Sequence, residues 1–169
     1  MKKPLLFVLL VSALCFRAQL LPASPGDSEF KAFLRQWEEA QSRFLTGDST
    51  LWKQNASQRE DATILGGFGG FEKGWAEVGP RYDWASSQYK DSGAKLKVEY
   101  ISTTVSGDLG FTVAIERQDE VRIGGQRTPT QRALRVTQIF RKEEGAWKLL
   151  HRHADPLTEK KSPSTSAEK

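Results

Sequence analysis

The apolar positions of this chain change period midway. From Asp27 to Leu45, Phe30, Phe33, Leu34, Trp37, Ala40, Phe44 and Leu45 recur at helical spacing and give one wide apolar face. Asp27, Ser28 and Glu29 suit the N-terminus of that helix, and Gly47 suits the position just past its end. Asp48 can cap a short helical turn through Leu51 and Trp52. Thr63-Ile64-Leu65 reads as a short strand. Glu72 to Tyr89 reads as a second helix, with Trp75, Val78, Tyr82, Ser86 and Tyr89 on one side and an interruption or kink expected at Gly79-Pro80. From Lys95 the period becomes two. Leu96, Val98 and Tyr100 alternate with Lys97 and Glu99, and Ser106-Gly107-Asp108 marks a hairpin. Leu109, Phe111, Val113 and Ile115 then alternate with Gly110, Thr112, Ala114 and Glu116, and Gly124-Gly125 marks a second turn. Gln131 to Arg141 is a third long strand, and Glu144-Gly145 turns into a fourth, Ala146 to Ala154. Helices followed by an antiparallel meander predict an α+β fold, with a curved sheet of about four to six strands wrapped on the N-terminal helices.

The ends of the chain change the charge picture. Lys2 and Lys3 precede an apolar run of 12 residues, Leu5 to Phe16, and Leu21-Pro22-Ala23 is a small-residue exit. Residues 1–23 therefore read as a secretory signal peptide, with an uncleaved anchor as the alternative. The run is short of the roughly 20 apolar residues that a membrane span needs. The leader carries Lys2, Lys3 and Arg17 and no acid, so its removal takes the basic count from 25 to 22 against 21 acids, and the net charge from +4 to +1. A near-neutral mature chain argues against nucleic acid as a partner, and against the membrane once the leader is gone. Cys15, the one cysteine, lies in the leader, so the mature protein is expected to have neither disulfide nor thiol chemistry and to be stable through its core alone. Residues 24–155 make a single domain, and residues 156–169, rich in Ser, Lys, Glu and Pro, read as a disordered tail. The expected location is secreted or periplasmic.

Two stretches invite chemistry. Glycines 66, 67, 69 and 70 suggest a phosphate loop, but neither a Gly-Lys-Ser/Thr nor a GxGxxG follows. A tight connection between strand and helix is the better reading. His151 and His153 are the only histidines, two residues apart on the last strand. With Asp155 in phase they form an incomplete zinc set, so no metal and no cofactor is expected. In strict alternation Trp147 and Leu149 share their face, while Leu150, Arg152 and Ala154 lie on the other. Asn55-Ala56-Ser57 is a glycosylation sequon only in a eukaryotic secretory pathway.

LRVTQIFRKEEGAWKLLHRHAD, with VSGDLGFTVAIER and GGFEKGW, resembles the SnoaL-like branch of the nuclear transport factor 2-like superfamily. That superfamily also holds ketosteroid isomerases and the association domain of calcium/calmodulin-dependent kinases. The resemblance spans roughly Ser28 to Asp155. It implies a cone, a bent sheet closed by helices with a pocket at the open end, and homodimers through the sheet. Aligned on Gly145 and Trp147, Gln138 falls where the isomerases carry a pocket acid and the association domain a pocket arginine. Glu116 falls opposite another pocket arginine. That register points Thr112, Ala114, Glu116, Val136, Gln138 and Phe140 into the pocket and Arg135, Thr137 and Ile139 outward. Trp75 and Tyr82 lie on the helix that should close it. Arg152 and His153, on opposite faces of the last strand, complete the ligand-binding candidates.

Three functions follow from the resemblance, since this fold hosts binders, enzymes and oligomerisation modules. The first is an exported protein binding an unidentified small molecule in a small apolar pocket. The second is an acid–base enzyme of isomerase, cyclase or dehydratase type. Glu116 would be its catalytic residue, with Gln138 or His153 as the polarising partner. The glutamine at the isomerase acid position, and the lack of an assignable tyrosine and aspartate, argue against steroid isomerisation. The third is a dimerisation or interaction module. Arg135 could meet an anion, but a solvated cross-strand partner for an acid is its better role.

Overall fold

The computed structural model describes residues 25–90 and 92–159. The leader with Cys15, the turn residue Asp91 and residues 160–169 of the expected tail lie outside the described residues. Helix α1 spans Pro25–Phe44 and α2 spans Thr50–Gln54. Strands β1, Thr63–Leu65, and β2, Glu72–Lys73, form a small antiparallel pair before α3, Trp75–Ser87. Four long strands follow: β3, Lys95–Ser106; β4, Leu109–Val121; β5, Thr130–Glu143; and β6, Ala146–Pro156. They make one six-stranded sheet in the order β2-β1-β6-β5-β4-β3, with β1 parallel to β6 and the long strands antiparallel. The α+β class and the curved sheet packed on N-terminal helices are as the sequence implies. Among the described residues no helix is long and apolar enough to cross a membrane.

The apolar face of α1 lies in the concave side of the sheet. Phe30, Phe33 and Trp37 pack edge-on against Phe140, and Phe30 also meets Trp147. Trp52 of α2 joins Trp37 to Phe44 and Tyr82. Burying such rings contributes about 1.5–3 kcal/mol each, which holds the helices on the sheet. Past the end of α1, Gly47 turns the chain at φ +98°, where a Cβ would be strained. Asp48 accepts a hydrogen bond from the Thr50 backbone N–H at 2.9 Å, as its capping position suggested.

Three local expectations are corrected. Glu72 and Lys73 do not begin the second helix; they pair with Ile64 and Thr63, and Gly74 separates them from α3. Gly79-Pro80 does not interrupt that helix, since α3 runs through Pro80. The carbonyl that a proline here deprives of its partner belongs to Ala76, which is exposed and open to water, and Gly79 lets the Trp75 ring pack closely. The last strand does not alternate throughout. Ile139 pairs with His151 and Phe140 with Leu149, so Leu150 is an extra residue in a bulge. The bulge reverses the phase. Trp147, Leu149, Arg152 and Ala154 all face the core, whereas strict alternation placed Trp147 and Leu149 on the face opposite Arg152 and Ala154.

At Gly110 of β4, a Cβ would lie 2.7 Å from the Phe30 ring of α1. Gly110→Ala is therefore expected to cost about 1–3 kcal/mol through overpacking. Urea denaturation checks this, and an unchanged midpoint would show that Phe30 can yield.

Candidate functional site

The inward-facing residues of β4 and β5 carry an unusual polar set for a concave sheet face. Thr112, Glu116, Gln118 and Gln138 are all at most 3% exposed, among Ala114, Val136 and Phe140. The phase taken from the resemblance thus holds, and Arg135, Thr137 and Ile139 face outward with exposures appropriate to that side. What the alternation did not reveal is the partner of Glu116. Through the bulge at Leu150, Arg152 of β6 points inward and crosses beneath β5. Its Nη1 and Nη2 donate to Glu116 Oε1 and Oε2, each at 2.7 Å. Both side chains are nearly inaccessible, at 7% and 3% exposure.

This buried pair is supported on every side. Gln41, a polar interruption in the apolar stripe of α1, donates its amide to Glu116 Oε1. The Gln138 oxygen accepts from Arg152 Nη1 at 2.9 Å and from Trp37 Nε1 at 3.0 Å in the amide orientation that satisfies both. The Arg152 guanidinium lies 5.3 Å from the Trp52 ring centre. Burial by itself weakens the charge on Arg152, but the attraction and hydrogen bonds of Glu116 more than offset it and hold its pKa above the ordinary value. Burial also pushes the Tyr82 phenol up to about 12, against the pull of Trp52 and Arg152, so Tyr82 stays protonated.

Above the pair lies a cavity of about 50 Å³. That is room for roughly three to five waters, or for the end of a small organic molecule. Its walls are Phe44, Trp52 and Tyr82 from the helical side, the glycine connection at Gly66 to Phe68, and the inward residues Glu116, Gln118, Arg132, Leu134 and Arg152 of the sheet. Two of its wall residues, Gln41 and Gln118, carry side-chain oxygens that are buried without a hydrogen-bond partner among the described residues. The Gln41 oxygen cannot be exchanged with its nitrogen, because the nitrogen is committed to a carboxylate.

The candidate residues separate accordingly. Tyr82, Glu116 and Arg152 line the cavity. Thr112, Gln138 and Phe140 share the inner face but lie beside the pair and in the aromatic core: Thr112 Oγ1 is 3.3 Å from the Gln138 amide, and Phe140 is enclosed by Phe30, Phe33 and Trp37. Trp75 is half-buried against Gly79 at the start of α3 and does not line the cavity. His153 is not brought to it at all. It lies on the outer face, where Nε2 is 3.1 Å from Asp155. His151 also faces out, with Nδ1 2.8 Å from the Thr63 hydroxyl, and burial and then His153 lower its pKa. Among the described residues no three His, Cys, Asp or Glu side chains converge as metal ligands. In the sequon, the Asn55 side-chain amide donates to the Leu51 carbonyl at 2.8 Å, and Ser57 is fully buried and donates to Glu143 at 2.8 Å. Sequence reading missed Gln41, Gln118 and Arg132. The last two are in phase with Glu116 and Leu134 on their strands, and Gln41 follows Trp37 by one helical turn, so all three carried a legible signal.

The SnoaL-like domain family matches residues 70–158, just over half of the chain, and the chain belongs to that family. Solved structures share the fold. A nuclear transport factor 2-like superfamily protein from Salmonella enterica subsp. enterica serovar Typhimurium is 17% identical with a TM-score of 0.64, over 83% of this chain and 96% of that one. The CaMKII hub of S. rosetta is 20% identical with a TM-score of 0.58, over 81% and 100%. A candidate dehydratase of the same superfamily from Streptomyces avermitilis is 17% identical with a TM-score of 0.59, over 76% and 99%. At these identities the likeness concerns the fold alone. No protein of curated function matches the chain.

Removing one member of a buried ion pair strands the other. Arg152→Met is expected to cost about 3–5 kcal/mol, and the double change Glu116→Leu with Arg152→Met to recover most of that loss. A double-mutant cycle in urea measures it; additive losses would contradict a direct pairing.

Proposed function

We propose that this chain is an exported binding protein that holds a small molecule in the cavity above the Glu116–Arg152 pair. The observation that carries this reading is the largely apolar cavity itself, walled by Phe44, Trp52 and Tyr82 above a polar floor whose charges already satisfy each other. The state of Glu116 supports binding over catalysis. Both of its oxygens are engaged by Arg152, so a proton shuttle would first have to open a desolvated ion pair. The basic, apolar leader supports secretion or delivery to a periplasm.

The outer face supports a second reading, a homodimer through the sheet. Ile101, Leu109, Phe111 and Ile139 are exposed there, next to the half-buried Val113 and Ile115. Apolar side chains gathered on one sheet face mark an interaction surface. Phe111→Asp is expected to convert a dimer into a monomer in sedimentation at micromolar concentration; a wild-type protein already monomeric there rejects the dimer and leaves the binding reading intact.

Native mass spectrometry of the mature protein tests the ligand. The expected result is a small organic mass that leaves on denaturation. Ala85, 8% exposed in the cavity wall, offers the control. Ala85→Leu fills the space and should abolish the adduct while the circular dichroism stays native. Protein that is always empty, or an adduct indifferent to Ala85→Leu, contradicts the proposal.

A further inference from the structure

Three arginines line the cavity or its mouth, and they differ in what balances them. Arg152 is neutralised by Glu116, and Arg81 lies 3.1 Å from Glu72. Arg132 makes no ion pair among the described residues. Its Nη1 donates to the Tyr89 hydroxyl at 2.8 Å, its Nη2 donates to the Gly67 carbonyl, and its guanidinium lies 5.2 Å from the Phe68 ring centre. All three contacts are to neutral groups. Arg132 is half-buried on the inner face of β5, facing the cavity beside Leu134. Of the five N–H donors of a guanidinium, these contacts use two.

The glycine connection is built around that cation. A Cβ at Gly67 would lie 2.6 Å from Arg132 Nη2. Gly67 has no positive φ, so backbone conformation does not require glycine there. The space it leaves is taken by the guanidinium. Opposite Arg132 on β4 is the neutral Gln118, which leaves the charge of the guanidinium unbalanced. A full positive charge in a partly desolvated, apolar-walled cavity attracts an anion far more strongly than the same charge in water. Its planar fork matches a carboxylate in two parallel hydrogen bonds.

We infer that the ligand of this cavity is a small monocarboxylate with an apolar body, and that Arg132, positioned by Gly67, is the residue that selects its charge. This rests on the binding reading above and adds the ligand class. The carboxylate meets the guanidinium at the mouth, the alkyl part lies against Phe44, Leu45 and Trp52, and the Glu116–Arg152 pair stays closed beneath it.

Valerate and its neutral isostere valeramide are suitable probes, followed by calorimetry on the full mature chain. Wild type should bind valerate about tenfold or more tightly than valeramide, as a charge-assisted hydrogen bond requires. Arg132→Gln should bind the two about equally, with most of the valerate affinity lost, and Arg132→Lys should keep part of the preference. Gly67→Ala retains the charge but displaces it, and should lower the preference with an unchanged melting temperature. If a variant fails to fold, the wild-type comparison still decides. Equal wild-type affinities, or a preference that survives Arg132→Gln, overturn this inference while leaving the binding reading standing. Binding of neither probe by a protein that carries a native adduct also overturns it. Binding of neither probe by a protein without an adduct removes both. Inorganic phosphate displacing valerate at equal concentration would replace the carboxylate with a phosphate-type anion and contradict the assignment.

Discussion

Burying the Glu116 carboxylate and the Arg152 guanidinium constrains everything around them. Two charges taken out of water are tolerated only when nearly every lone pair and N–H finds a partner. Here the charges and their partners come from five elements. Gln41 comes from α1, Trp52 from α2, Gln138 from β5, and the two charges themselves from β4 and β6. The pair thus fixes the order β6-β5-β4 across the sheet and the seating of α1 on it. It also sets the floor of the cavity, because no side chain can enter that volume without meeting a charge already satisfied.

The bulge at Leu150 is the backbone feature that makes this possible. Without the extra residue Trp147 and Leu149 could not enter the core on the same face as Arg152, and either the aromatic packing with Phe30 or the ion pair would be lost. The cavity then arises where the polar floor, the aromatic wall of Phe44, Trp52 and Tyr82, and the glycine connection fail to close on one another. On the proposed reading that gap is the binding site. Arg132 is the one cavity cation whose contacts leave its charge unbalanced.

Much of this was legible in the sequence, and the failures have physical causes. The four long strands, the first helix and β1 follow directly from period and turn residues, because each element buries one face against water's alternative. The inward set Thr112, Ala114, Glu116, Val136, Gln138 and Phe140 followed once a resemblance chose the face. Two-residue β2 lacks the length to show any period, so Glu72 and Lys73 merged into the helix that follows. Leu150 could not be read as a bulge, since an extra residue leaves no mark on an apolar stretch such as LeuLeu. That single unread residue misplaced the faces of Trp147 and Leu149 relative to Arg152. The partner of Glu116 lies 36 positions away and two strands over, a pairing that alternation within one strand does not show. Gln41, Gln118 and Arg132 were within reach of the same alternation and helical spacing that found their neighbours.

Arginine side-chain Nε–H resonances, followed by nuclear magnetic resonance as valerate is added to the mature protein, test the central claim most directly. The account predicts that the Arg132 signal moves and saturates while the Arg152 signal, locked to Glu116, stays in place. Movement of Arg152 with Arg132 unmoved would mean that the ligand opens the ion pair, and would contradict the division between a closed floor and an anion-selecting mouth.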